Sequence, residues 1–386
     1  ASRARVRKLA ALLMGADHVM EGVVELHAVR GTRTLVSSEG SLVREPLGVI
    51  TLSVAAGAQA RDGMPLKHYI DRAYPLEQGL PDEAILAREV RTMLAQLAAL
   101  RTAPLLRDFS GPVLFEGMAA AQVLHRTLLP HLAGTPGIWA RGQRLPPQSK
   151  WAGKMGRRVL PSTFSLVDDP TLAAVGKTPV IGRMRVDDQG VPARRVELVK
   201  AGKLKDLLTN RTPSKSFPRS NGHARGRGYG GASPMPTTLI LKAPGKGAAA
   251  LRRLAVVEAK KEGEPHGLII RQLPEPMVTS KLSGLSNGGG GHQMDGMLAY
   301  KVDAQGKETL VRGLKLERLQ IKQLKRILAA GKELVVLNRM EGGGLGHRGP
   351  RVGLPLTLVT PALLLEEVEV TKERGSQTNS PILPRP

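Results

Sequence analysis

The sequence has no cysteine among its 386 residues. This excludes a disulfide framework, thiolate-ligated zinc, iron–sulfur clusters and a cysteine nucleophile. Aromatic residues make up only 3%, too few for the stacking platforms that hold single-stranded nucleic acid. No apolar run approaches the roughly 18 residues of a membrane-spanning helix, so no membrane partner is expected. The first ten residues, ASRARVRKLA, lack the apolar core of a signal peptide. The chain begins on Ala, which reads as a start that is processed, or cut within a larger protein, and leaves open an exported form after signal removal.

Acidic residues are also scarce. Asp and Glu number 33 against 57 Lys and Arg, a formal net charge of +24. Such a balance permits electrostatic binding to nucleic acid, and equally suits a basic soluble surface with no such partner. Residues 194–227 hold ten Lys/Arg against two acids, and 312–326 hold six against one. Hydrophobic residues at 41% can fill a core, while 44 Gly and 28 Pro forecast many turns.

Apolar spacing predicts a short basic helix over 3–14, strands over 23–29 and 33–36 around a turn at Gly31, and a strand over 48–56. A helix is predicted over 82–100, with Pro81 before it, Asp82 and Glu83 in its first turn, and Ile85, Leu86, Val90, Leu94 and Leu97 recurring along it. A strand over 111–115 runs into an Ala-rich helix limited by Pro130. Residues 134–163, rich in Gly, Pro and base, read as a long exposed loop. After Phe164 short apolar runs at 180–186, 195–200, 237–242, 267–271, 297–302, 334–337, 355–359 and 363–370 alternate with turn residues, interrupted by a second helix over 317–330. The fold class is therefore α+β, with a mixed N-terminal part and a β-rich C-terminal part.

One stretch carries an ordered series of short motifs. It reads Asp168-Asp169-Pro170-Thr171, Val186-Asp187-Asp188-Gln189-Gly190-Val191-Pro192, Glu197-Leu198-Val199-Lys200-Ala201-Gly202-Lys203-Leu204, Thr209-Asn210-Arg211, Ser220-Asn221-Gly222-His223-Ala224-Arg225 and Pro234-Met235-Pro236-Thr237-Thr238-Leu239. Gly190 and Gly202 sit where tight turns between strands need a positive φ. No one element is specific, but the six in this order resemble the C-terminal domain of the TldD/PmbA (TldE) family, also called modulators of DNA gyrase. The resemblance implies that residues 1–108 are the later portion of the family's N-terminal half and that 109–370 form its C-terminal domain; residues 371–386, polar and Pro-rich, read as a tail over the surface.

The resemblance also implies metallopeptidase chemistry. The family's active partner uses an H-E-x-x-x-H helix and a late cysteine as zinc ligands, with the Glu as general base. Zinc needs about three protein ligands and an open position for water. Here Glu116 falls on the motif's Glu, Phe115 and Ala120 fall on its two His, and cysteine is absent, so no metal is expected. His125 and His131 lie nearby, but their spacing of six is not the i,i+4 zinc pair. His292 and His347 follow Gly-rich stretches. Ser220, Asn221, Gly222, His223 and Arg225 are expected to border a peptide groove. A Ser/His/Asp hydrolase has little support, since no G-x-S-x-G elbow occurs.

The reading that results is a non-catalytic, TldE-like subunit acting in proteolysis of small or unfolded peptides, as a homodimer or a heterodimer with a family subunit, cytoplasmic as the best-known members are. One alternative is an active peptidase whose zinc is held by an unconventional set drawn from His125, His131, His292, His347 and Glu116. Another is a basic nucleic-acid-binding protein.

Overall fold

The computed structural model describes residues 2–136, 138–140, 143–145, 149–226, 231–275, 278, 282, 296–342, 344–346, 349–351 and 353–372. Its fold is α+β, built on two large sheets, with four two-stranded ones beside them among the described residues.

The first sheet is a meander of β1 (Glu21–Val36), β2 (Leu42–Gln59) and β3 (Pro65–Pro75), all antiparallel. No turn forms at Gly31, which pairs with Leu47 in an unbroken ladder. The flanking Val, Thr and Leu residues are strand formers, and the reversal falls instead at Ser37–Ser41, where Gly40 has φ 84°. One face of this sheet is covered by α1 (Ser2–Met14) and α2 (Glu83–Leu100). Leu9, Leu13, Leu52, Val54, Leu86, Val90, Met93 and Leu97 form the core between them, each large side chain contributing roughly 1.5–3 kcal/mol by leaving water. Residues on the other face, Val49, Ala55, Tyr69 and Ala73, pack against Ile181, Val278, Leu282 and Met340 of the body that follows.

That body is a twelve-stranded mixed sheet. Its strands are β4 (Phe109–Phe115), β5 (Ser165–Asp168), β6 (Val196–Lys200), β7 (Lys203–Leu204), β8 (Thr238–Lys242), β9 (Gly245–Lys246), β10 (Gly267–Gln272), β11 (Leu298–Val302), β12 (Glu308–Val311), β13 (Leu314–Leu316), β14 (Ile327–Glu341) and β15 (Leu354–Lys372). The order runs β7-β6-β5-β8-β15-β4-β10-β11-β12, with β13 and β14 also on β15 and β9 on β14. The central strand β15 is covered on both faces over Leu356–Leu365, where Thr357 and Thr360 are the buried polar side chains among apolar ones, as expected for a strand covered on two sides. Its Pro361 lies beside a register shift in β14, where the missing N–H is tolerated.

Two helices cover this sheet. Val113 and Phe115 of β4 point into the main core with α3 (Met118–Leu128), whereas Leu114 points to the opposite face, against Leu251, Ala255 and Val256 of α4 (Ala248–Lys261). The β-like pattern after Phe164 hid α4. Its buried Leu251, Ala255, Val256 and Ala259 nonetheless follow helical spacing. The helix expected over 317–330 is instead a short 3₁₀ turn, Ile321–Arg326, running into β14. Pairing with β15 overrides the local propensity.

Three further expectations are corrected. Residues 180–186 form no named strand. The described part of the 134–163 segment is not wholly exposed: Trp151, Val159 and Leu160 are in the core. Thr371 and Lys372, placed in the tail, end β15, and residues 373–386 lie outside the described residues.

Candidate functional site

Glu116 follows β4 directly, its N–H donating to Ile270 O at 2.9 Å. Gly117, with φ 55°, then turns the chain into α3. Strand alternation puts Glu116 on the α4 side of the sheet, with Leu114. There Arg252 of α4 donates to it from Nε at 2.8 Å and Nη2 at 3.1 Å, and Arg271 of β10 donates from Nε at 3.0 Å. Glu308 closes the cluster, 2.9 Å from Arg252 and 2.8 Å from Arg271. Arg271 also stacks over the Tyr300 ring, 4.5 Å from its centroid. Burial alone would raise the Glu116 carboxyl, but Arg252 and Arg271 outweigh it and hold the group below the usual carboxylate range. A carboxylate so occupied is a poor proton acceptor.

Phe115 and Ala120 are fully buried in the main core on the other face of the sheet. Neither offers a metal donor, and the adjoining carboxylate points away from them. These residues do not fit a zinc site. Among the described residues no three His, Asp or Glu side chains gather at metal-binding separation.

His125, in the last turn of α3, has Nε2 2.6 Å from Glu341 Oε2 at the end of β14. His131 lies in the 3₁₀ turn beyond, its Nδ1 accepting the Lys150 N–H at 3.2 Å. Burial, and then the charges of Lys150, Lys154 and Arg318, lower its basicity. His292 and His347 lie outside the described residues.

The motif series converges on one place. Asp168, wholly buried at the end of β5, accepts the Thr237 N–H at 2.7 Å and the Thr238 N–H at 3.1 Å. His223 Nε2 stands 3.8 Å from Asp168 Oδ1. Asp187 accepts the N–H groups of Gln189, Val191 and Ala224. Asn221 accepts the Thr209 N–H and donates to Leu207 O, both at 2.8 Å. Arg225 donates to Pro236 O at 2.7 Å. Asn221, Gly222, His223 and Arg225 are buried, and Ser220 is half-buried with its hydroxyl 3.1 Å from the Gly222 N–H. These side chains knit together the segments from 168 to 238.

A second polar cluster, which sequence reasoning missed, lies where the first sheet meets the body. The Tyr69 hydroxyl donates to Leu273 O at 2.6 Å and accepts from Gln122 Nε2 at 2.7 Å. Asp71 accepts from the Ser53 hydroxyl at 2.7 Å. Arg339 reaches Glu275 at 3.3 Å and Glu341 at 3.6 Å, linking this group to His125. Its members come from positions 53 to 341, and no local motif announces them.

Comparison with known proteins places this geometry. The profile of the PmbA/TldA metallopeptidase C-terminal domain matches residues 110–372. Among curated protein sequences nothing matches. Three solved structures share the fold. A Thermotoga maritima protein described as a modulator of DNA gyrase is 15% identical, with TM-score 0.66 over 96% of this chain and 73% of that one. A Bacteroides thetaiotaomicron protein of the same description is 13% identical, with TM-score 0.61 over 96% and 70%. TldE from Thermococcus kodakarensis is 14% identical, with TM-score 0.58 over 95% and 73%.

Proposed function

We propose, for a chain that belongs to the TldD/PmbA family, a role as a non-catalytic subunit in the proteolysis of small or unfolded peptides. The observation that carries this reading is the state of Glu116, held by Arg252 and Arg271 on the sheet face opposite Phe115 and Ala120. A general base must be free to take a proton from a metal-bound water, and this carboxylate is already an ion-pair partner. Zinc belongs only to the alternative, in which His125, His131, His292 or His347 rebuild a site.

The subunit would associate with a second copy or an active family member, and the peptide would be held rather than cut. Over Leu26–Val36 no other strand flanks the outer edge of β1 among the described residues, and an extended peptide could add there as a strand. Ser220, at the half-buried start of its loop, is the member of the proposed groove set nearest to solvent. A cytoplasmic setting is part of the proposal; among the described residues no helix is long and apolar enough to cross a membrane. The division into 1–108 and 109–370 remains the proposed organisation, with the second unit carried on to Lys372, where β15 ends.

The test is the metal content of the purified protein by elemental analysis, together with a short unstructured peptide offered to the wild type and to Glu116→Gln. The expected result is no stoichiometric zinc and no cleavage by either. Near-stoichiometric zinc, with cleavage lost in the variant, would overturn the reading and point to an unconventional ligand set.

A further inference from the structure

The β7 edge of the large sheet is lined by a segment that displays base. Gly156 N–H donates to Leu204 O at 2.8 Å, Leu204 N–H to Arg157 O at 2.9 Å, and Val159 N–H to Gly202 O at 2.8 Å. Arg158 thereby stands opposite Lys203 in an antiparallel bridge. Like charges directly across a ladder destabilise it, yet here no acid intervenes. Arg157, Arg158, Lys203 and Lys205 are exposed and Lys154 is half-buried, and among the described residues none of the five makes an ion pair. Besides burial, the charges of Lys150, Lys154 and Arg318 all act on His131, lowering its basicity. The display is rigid, because Trp151, Val159 and Leu160 anchor its segment in the core.

We propose that this edge, centred on Lys154, Arg157, Arg158 and Lys203, is a binding surface for the phosphate backbone of duplex nucleic acid. Unpaired cations suffice for phosphates. A protein partner would need an apolar centre, and the large hydrophobic side chain exposed within this segment is Met155 alone. The proposed contacts are to phosphates, which carry no sequence information, so binding is indifferent to sequence. This inference stands apart from the peptidase-related reading.

The test is fluorescence anisotropy with two unrelated duplexes of about 20 base pairs, titrated between about 50 and 200 mM salt. Both duplexes should bind alike, and affinity should fall steeply with salt. Replacing Lys154, Arg157, Arg158 and Lys203 by Gln should lower the log–log salt slope by about 3–4. A control of equal charge change (Arg3→Gln, Arg7→Gln, Lys260→Gln and Lys332→Gln) should leave the slope nearly intact. In the wild type, bound duplex should protect Lys154 and Lys203 from acetylation, a readout that needs no variant. The proposal is overturned by absent duplex binding at low salt, by equal loss in the control, by unprotected lysines, or by polyglutamate displacing the duplex at equal charge, which would mark an acidic polypeptide as the partner.

Discussion

Glu116 and Arg252 form a two-point ion pair, Nε to Oε1 at 2.8 Å and Nη2 to Oε2 at 3.1 Å. Two parallel N–H donors on one carboxylate fix orientation as well as charge. The pair joins the end of β4 to α4, which also meet through the apolar contacts of Leu114 with Leu251, Ala255 and Val256. Glu116→Gln leaves Arg252 and Arg271 facing one another with only Glu308 between them. The expected cost is about 2 kcal/mol at neutral pH, read as a lowered denaturation midpoint. The sign with pH follows from the depressed carboxyl. Its contribution is present above the unfolded value of 4.5 and is lost as pH falls through the lower folded value. The gap between wild type and variant should therefore narrow as pH falls below 4.5; a gap that is flat with pH would refute the ion-pair role.

Asp168 makes a stronger claim on stability, because it is wholly buried and faces two backbone donors. Burial pushes its carboxyl up, but His223 beside it and the hydrogen bonds of Thr237 more than offset this and hold it low. Asp168→Ala strands the Thr237 and Thr238 N–H groups in the interior, at a cost of about 3–5 kcal/mol. Asp168→Asn keeps the shape and one of the two acceptor oxygens, and should lose less. Urea unfolding of the two variants should rank them in that order; equal losses would show that packing rather than the acceptor matters.

What could be read from the sequence divides along local and non-local lines. The turns at Gly190 and Gly202 were legible, and both glycines have positive φ, because a tight turn is written in adjacent residues. Helix α2 was legible from its apolar stripe and its acidic first turn. Residues 327–330 were read as helix because their partners, Leu363–Leu365 on β15, lie more than 30 positions away. The Glu116 cluster draws on positions 252, 271 and 308, and the His125 partner sits at 341. No spacing rule joins such positions, so the residue that looked like a catalytic base was legible while the arginines that occupy it were not.

Asp71 behaves in the opposite sense to Glu116. Burial raises its carboxyl, Glu275 nearby adds to the effect, and the Ser53 hydroxyl and Arg339 only partly counter it. A raised folded value means that ionisation is penalised in the native state. Stability contributed by the neutral form is lost as pH rises from the unfolded value of 3.8 through the folded one. Asp71→Asn keeps the Ser53 hydrogen bond and carries no charge. It should match the wild type near pH 4 and exceed it in melting temperature at pH 7. A variant less stable than wild type at pH 7 would mean that the ionised carboxylate serves the cluster with Arg339.

Gly222 tests whether the Ser220–Arg225 loop is a rigid joint. Its φ of 78° lies where only glycine is unstrained. A Cβ built there would fall 2.3 Å from Pro192 O and 2.7 Å from the Ala193 Cα, both backbone atoms that cannot swing aside. Gly222→Ala therefore combines conformational strain with a clash, and should cost more than about 2 kcal/mol. Since Asn221 and His223 flank it and hold Thr209 and the Asp168 region, the loss should spread beyond the loop. Hydrogen exchange should quicken at Thr209, Ala224 and Thr237 together, all of whose N–H groups are bonded into this joint. Quickening confined to residues 220–225 would instead show a loop that yields locally, as a groove that opens for a peptide would.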